Sequence, residues 1–200
     1  MKKICLLACL ALTMALTTGT AMADSIKGRL GVTGRLGFAV PTDGVYVGPG
    51  GSLNDYDTDP DFIFGGGVLY GIDQNWAAEI DVTRTEFDVA LPFSGDRNGE
   101  IINVSLGGQY RFMPQEKLVP YLGAGLDILI NDLKGHSVDT TVGVHGAGGV
   151  DYFILKPLAL TAEAKIVAGP EADIDRDGHR VGRFSTTNFT TTVGVRFFFN

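Results

Sequence analysis

The chain has 200 residues, with 16 Lys and Arg against 23 Asp and Glu, a net charge of −7. That balance argues against a nucleic-acid partner, whose phosphates must be met by clustered Lys and Arg. Glycine fills 28 positions, about twice the usual share, and no stretch beyond the N-terminal segment is long and apolar enough for a membrane-spanning helix.

The first predicted element is a cleaved secretory signal over 1–23, which leaves one domain over 24–200. Lys2 and Lys3 form a positive start, Ile4 to Leu16 is apolar, and Ala21-Met22-Ala23 is an A-x-A cleavage site. The apolar stretch is too short to span a bilayer. Leu6-Leu7-Ala8-Cys9 has the form of a lipoprotein acylation site, but almost nothing apolar precedes it, which argues against acylation. Cleavage removes both cysteines, Cys5 and Cys9, and two lysines, so the mature charge is 14 against 23, or −9. A thiol-free chain can cross an oxidising periplasm without mispairing.

From Ile26 onward, apolar residues alternate with small or polar ones at period two, the signature of strands. In 26–40 one parity carries Ile26, Leu30, Val32, Leu36, Phe38 and Val40. The other carries Lys27, Arg29, Gly31, Thr33, Arg35 and Gly37. Residues 100–113 split the same way, with Ile102, Val104, Leu106, Tyr110 and Phe112 opposite Asn103, Ser105, Gly107, Gln109 and Arg111. Eight such segments are predicted: 26–40, 61–72, 76–91, 100–113, 118–132, 140–155, 158–168 and 184–199. Each reaches the ~9–11 residues that a tilted strand needs to cross a hydrocarbon core.

The connections alternate in length. Asp73-Gln74-Asn75, 114–117 and Lys156-Pro157 are tight turns, whereas 41–60, 92–99, 133–139 and 169–183 are longer and rich in Gly, Asp and Pro. Tight turns on one rim and long loops on the other is the outer-membrane plan, with turns periplasmic and loops extracellular. The expected fold is therefore all-β: an eight-stranded antiparallel up-and-down transmembrane β-barrel in the outer membrane.

A soluble barrel also alternates, with its apolar face inward, so the faces must be told apart. Tyr70, Trp76, Tyr110, Phe112, Tyr121, Tyr152, Phe197 and Phe199 fall near the short-turn rim, and Phe38, Phe62, Phe64, Phe87, Phe184 and Phe189 near the other. Two aromatic bands with aliphatic residues between them match interfacial girdles. The second parity is mostly Gly, Ala, Ser, Thr and Asn, which suits the crowded inside of a narrow barrel. Its charges nearly balance: Lys27, Arg29, Arg35, Arg111, Lys165 and Arg196 against Glu79, Asp81, Asp127, Asp151 and Glu163. Such a set can pair across a lumen, where unpaired charge is costly.

The C-terminal alternation of Thr191, Val193, Val195, Phe197 and Phe199, and segments such as Gly31-Val32-Thr33-Gly34-Arg35-Leu36-Gly37 and Val119-Pro120-Tyr121-Leu122-Gly123-Ala124-Gly125, resemble the small outer-membrane β-barrel family. That group holds outer membrane protein W and the transmembrane domain of outer membrane protein A. The resemblance implies insertion by the barrel-assembly machinery, although the family's terminal Phe is here followed by Asn200. It also implies a narrow path for small or apolar solutes as one alternative.

Few constellations suggest chemistry. Asp173-Ile174-Asp175-Arg176-Asp177-Gly178 has the D-x-D-x-D-G spacing of a calcium loop, but Phe184 stands where an EF-hand needs Glu. An acidic solvated loop is the plainer reading, with calcium in 171–178 as the alternative and no other cofactor expected. Asp55, Asp57, Asp59 and Asp61 form a second acidic run, without a turn glycine. His136, Ser137 and Asp139 are too close in sequence for a fixed triad. His145 is expected to hydrogen-bond in the lumen and His179 to be solvated. The chain is therefore expected not to be an enzyme, a lipid A-modifying activity being the remote alternative. The leading expectation is a structural surface barrel with a charge-paired lumen, in contact with outer-membrane lipid and lipopolysaccharide. A narrow channel for small or hydrophobic molecules is the runner-up, since eight strands leave little free bore.

Overall fold

The computed structural model describes the backbone of residues 25–41, 44–47, 53–56, 61–91, 95–133, 137–138, 140–176 and 179–199, and the side chains of 25–40, 61–86, 100–130, 140–170 and 186–199. The strands are β1 (Leu30–Pro41), β2 (Gly44–Val47), β3 (Leu53–Tyr56), β4 (Asp61–Gly71), β5 (Trp76–Leu91), β6 (Gly95–Arg111), β7 (Leu118–Leu133), β8 (Ser137–Val138), β9 (Thr141–Leu155), β10 (Leu158–Ala168), β11 (Glu171–Arg176), β12 (His179–Ser185) and β13 (Asn188–Phe198).

Eight of these close an antiparallel barrel in the order β1-β13-β10-β9-β7-β6-β5-β4. The seam is continuous: β1 pairs with β13 from Gly31↔Phe198 to Pro41↔Asn188, and with β4 from Leu30↔Tyr70 to Ala39↔Asp61. Closure removes the unpaired strand edges that hydrocarbon cannot satisfy.

Period-two alternation sorts the side chains. Leu30, Val32, Leu36, Phe38, Ile80, Val82, Leu106, Leu122, Leu126, Ile128, Val142, Val193 and Val195 point out and are roughly half exposed. The opposite parity is buried, and much of it is polar. A water-soluble barrel would show the reverse. At the short-turn rim, Trp76 and Tyr110 meet edge-on at 5.1 Å, as do Tyr110 and Phe112 at 5.0 Å. At the other rim, Phe38 and Phe62 meet at 6.3 Å and Phe62 stacks on Phe64 at 6.2 Å. The side chains of Phe87 and Phe184 lie outside the described residues.

The tight turns fall where the sequence places them. In the β4–β5 turn, Asp73 accepts the backbone N–H groups of Asn75 and Trp76, each at 2.7 Å. Those bonds, with Trp76 contributing most, hold the Asp73 carboxyl below its usual pKa.

Three expectations are corrected. First, β1 begins at Leu30, and Ile26 does not share the outward face. Gly28, at φ 73°, folds the chain under the rim, where the Gly28 N–H donates to Gly71 O at 2.7 Å and the Gly71 N–H to Arg29 O at 3.0 Å. Ile26 is thereby buried with Leu69, Ala77, Val119, Phe153, Ala159 and Phe198, an apolar cluster filling the periplasmic end of the bore. Second, the long connections contain strands. β2, β3, β8, β11 and β12 form a second sheet in the order β3-β2-β12-β11-β8. The β5–β6 hairpin continues to Leu91↔Gly95, so 95–99 belongs to a strand. Third, the expected last segment divides, with 184–185 in β12 and the closing strand starting at Asn188.

Candidate functional site

The described residues converge most polar chemistry in the middle of the bore. Alternation aims these side chains inward, and their length lets them cross a bore that neighbouring backbones leave narrow. Arg196 on β13 is fully buried. Its guanidinium donates to Thr33 on β1 at 2.8 Å, to Asp151 on β9 at 2.9 Å and to Glu79 on β5 at 2.7 Å. Arg111 on β6 donates to the same Asp151 oxygen at 2.7 Å. Arg35 on β1 reaches Glu79 at 2.9 Å and Asp81 at 3.0 Å on β5, and Glu163 on β10 at 2.8 Å. The Gln109 side-chain amide donates to Glu79, and the Tyr121 hydroxyl to Glu163 at 2.9 Å.

A second cluster is centred on Asp127. It accepts from Asn103 at 2.9 Å and Ser105 at 2.6 Å, lies 3.1 Å from the Lys165 ammonium, and meets His145 Nδ1 at 2.5 Å. The ion pairs of Arg35, Arg111 and Arg196, and that of Lys165 with Asp127, join strands that are not neighbours in the barrel, such as β1 with β5 and β9 with β13. They therefore span the bore rather than run along its wall.

Apolar residues flank this polar belt. Below it lies the Ile26–Phe198 cluster, in which Phe153 and Phe198 stack at 5.8 Å. Above it, Ala39, Ile63, Leu129 and Val167 are buried. Within the belt a cavity of about 20 Å³ is lined by Glu79, Asp81, Gln109, His145, Glu163 and Lys165, among others, with glycines 107, 108 and 123 in its wall. That is the space of one or two water molecules.

Of the residues assigned to the lumen from sequence, Arg35, Glu79, Asp81, Arg111, Asp127, Asp151, Glu163, Lys165 and Arg196 face one another in the bore. Arg29 does not join them. Its guanidinium lies 5.5 Å over the Phe198 ring and donates to the Phe198 and Phe199 carbonyls at 3.3 Å, below the apolar cluster. Lys27 is exposed, because the turn at Gly28 ends the strand periodicity. Tyr70, Trp76, Tyr110, Phe112, Phe197 and Phe199 point outward, and Tyr152 is half-buried beneath the Lys117 ammonium at 4.9 Å.

Tyr121 is the correction in the girdle set. It is buried in the bore, with the Arg196 and Arg111 guanidinium carbons 5.7 and 5.9 Å from its ring centroid. Its parity with Gly123, Gly125 and Asp127 carried that signal. Gln109, Asn103, Ser105 and Thr33 complete the network, and each lies on a polar parity that alternation could have flagged.

Asp173 and Asp175 lie on strand β11, not in an irregular loop, while their side chains and all of Asp177 fall outside the described residues. The same holds for His136, Asp139, the side chains of Asp55, Ser137 and His179, and residues 1–23. Among the described side chains, no group of three His, Cys, Asp or Glu is placed to hold a metal.

A closed eight-stranded barrel with an apolar outer wall and a polar interior is the arrangement a lipid environment selects. The family model for the outer membrane protein β-barrel domain matches residues 8–197. The chain belongs to the outer membrane protein β-barrel family. As a member of that family it is an outer-membrane protein, and solved structures repeat its fold. Against the outer membrane protein OprG from Pseudomonas aeruginosa the identity is 18% and the TM-score 0.68, over 87% of this chain and 97% of that one. Against Neisserial surface protein A the identity is 20% and the TM-score 0.63, over 85% and 97%. Against outer membrane protein W from E. coli the identity is 19% and the TM-score 0.54, over 86% and 98%. No curated protein matches the chain in sequence.

Proposed function

We propose that this family member is a closed structural barrel that anchors its long-connection sheet at the cell surface and conducts no solute. The observation that carries this reading is the belt of ion pairs across the bore, flanked by buried apolar residues on both sides. An ion passing through would have to displace Arg196 or Arg35 from carboxylates in a low-dielectric bore, which leaves buried charge unpaired. The half-exposed aliphatic wall fits contact with lipid and with lipopolysaccharide, and assembly by the barrel-insertion machinery.

Two other readings are weaker. A narrow channel for small or hydrophobic molecules draws support only from the glycine-walled cavity, whose volume is about 20 Å³. An enzyme of the Ser-His-Asp kind needs its histidine between the other two. Here Asp127 holds the centre and binds both Ser105 and His145, so the histidine does not stand between serine and carboxylate, and the Lys165 ammonium donates to the serine hydroxyl instead.

Single-channel recording in planar bilayers tests the proposal. The wild-type barrel should give no discrete openings. Arg196→Ala combined with Arg35→Ala should give measurable leak if it folds. Regular openings from the wild-type protein would overturn the reading in favour of the channel.

A further inference from the structure

We propose that residues 25–29 are a latch that docks under the barrel after its wall has closed, and then holds shut the seam between the first strand and the last. Three observations carry it.

The first is the shape of the segment. Ile26 to Arg29 form a β-turn, closed by the Arg29 N–H donating to Ile26 O at 2.9 Å. Gly28 stands third in that turn at φ 73°, a conformation that glycine adopts without steric cost. The turn is tied to the end of β4, where Gly28 N–H and Gly71 O, and Gly71 N–H and Arg29 O, pair at 2.7 and 3.0 Å. Gly71 leaves the room for it. A Cβ there would collide with the Ile26 carbonyl oxygen and come within 2.6 Å of its carbonyl carbon, both backbone atoms.

The second is where its side chains go. Ile26 is 1% exposed and shares its apolar cluster with residues of β4, β5, β7, β9, β10 and β13. Arg29 reaches across the seam. Its guanidinium donates to the Phe198 and Phe199 carbonyls at 3.3 Å and lies 5.5 Å over the Phe198 ring. The segment thus binds β4 on one side of β1 and the end of β13 on the other, the two neighbours of β1 in the ring.

The third is the order that these contacts impose. The carbonyls that Arg29 meets lie 169 and 170 positions away in the chain. The cluster that takes Ile26 draws on six strands, the last of them β13. Neither receptor is complete until β13 has paired with β1. Contacts made after the closing step slow opening without speeding closure. The latch therefore governs how long the barrel stays shut, and not how fast it assembles.

The test uses the full-length barrel, folded from urea into lipid vesicles and unfolded from them, with Trp76 fluorescence as the signal. Ile26→Ala and Arg29→Ala should each unfold at least about fivefold faster than wild type, with folding rates within about twofold. Gly71→Ala keeps every latch side chain but obstructs the latch backbone, and should show the same pattern. In Arg29→Ala the Gly28 and Gly71 amides should also exchange hydrogen faster, while the Leu36 amide in the middle of β1 keeps its wild-type protection. Folding slowed as much as unfolding is accelerated would place the latch before closure and overturn the proposal. So would failure of Ile26→Ala or Arg29→Ala to fold, or wild-type unfolding rates in all three variants.

Discussion

Asp151 shows how much rests on single side chains. It is fully buried, and one of its oxygens accepts from both Arg111 and Arg196. Arg196 keeps Glu79 and Thr33 when Asp151 is lost, but Arg111 loses its carboxylate partner altogether. Removing one partner from a buried pair costs more than the pair itself contributes, because the other charge stays behind in low dielectric. Asp151→Ala should therefore destabilise the folded barrel by about 3–5 kcal/mol. Urea unfolding in lipid vesicles, followed by Trp76 fluorescence, measures it, and a loss below about 1 kcal/mol would show that lumen pairs are optional. At this scale the sequence was largely legible: parity alone sends Asp151, Arg111 and Arg196 inward. It also sends Tyr121 inward, although an aromatic near the rim reads as a girdle residue. Which carboxylate meets which guanidinium was not legible, because partners such as Arg196 and Glu79 lie 117 positions apart and meet only across the closed bore.

Strands obey the same logic over longer stretches. Inward glycines let neighbouring strands coil tightly, and Gly65 on β4 is a clear case. A Cβ there would collide with the Val82 carbonyl oxygen and come within 2.7 Å of Thr83 Cα, both backbone atoms of β5 that cannot swing away. Gly34, outward on β1, would meet nothing within 4 Å. Gly65→Ala should cost about 1–3 kcal/mol through overpacking, while Gly34→Ala should stay within about 0.5 kcal/mol of wild type. Comparing the two urea midpoints in the same lipid checks the contrast, and equal midpoints would remove the close-approach argument. Element boundaries were readable where period two ran without interruption, as in β5, β7, β9 and β10. They were not readable in the long connections. There Gly, Asp and Pro suggest irregular loops, yet β2 pairs with β12 through Val45↔Arg183. Pairing over such a separation is a tertiary event that no local pattern announces.

For the whole molecule, the outer wall sets the position in the membrane. Leu106 lies among Ile80, Val104 and Leu126, midway along the aliphatic band, and is half exposed. Phe112 lies at the periplasmic girdle. Arginine on the lipid face costs about 2–4 kcal/mol at the midplane and about 0–1 kcal/mol near the interface. Leu106→Arg should therefore slow insertion and lower stability far more than Phe112→Arg, as read by folding yield into vesicles. Equal effects would mean that the band does not face hydrocarbon.

The sequence by itself determined the barrel, the number of strands that close it, its outward face and the polar character of its interior. Each of these follows from alternation, and alternation is a local property of an extended backbone. Only the tertiary structure decided that Ile26 turns back into the bore, that Arg29 caps carbonyls below Phe198, and that the lumen charges form two clusters flanked by apolar residues. Those outcomes depend on ring closure, which brings distant strands to face each other across a gap narrower than two side chains.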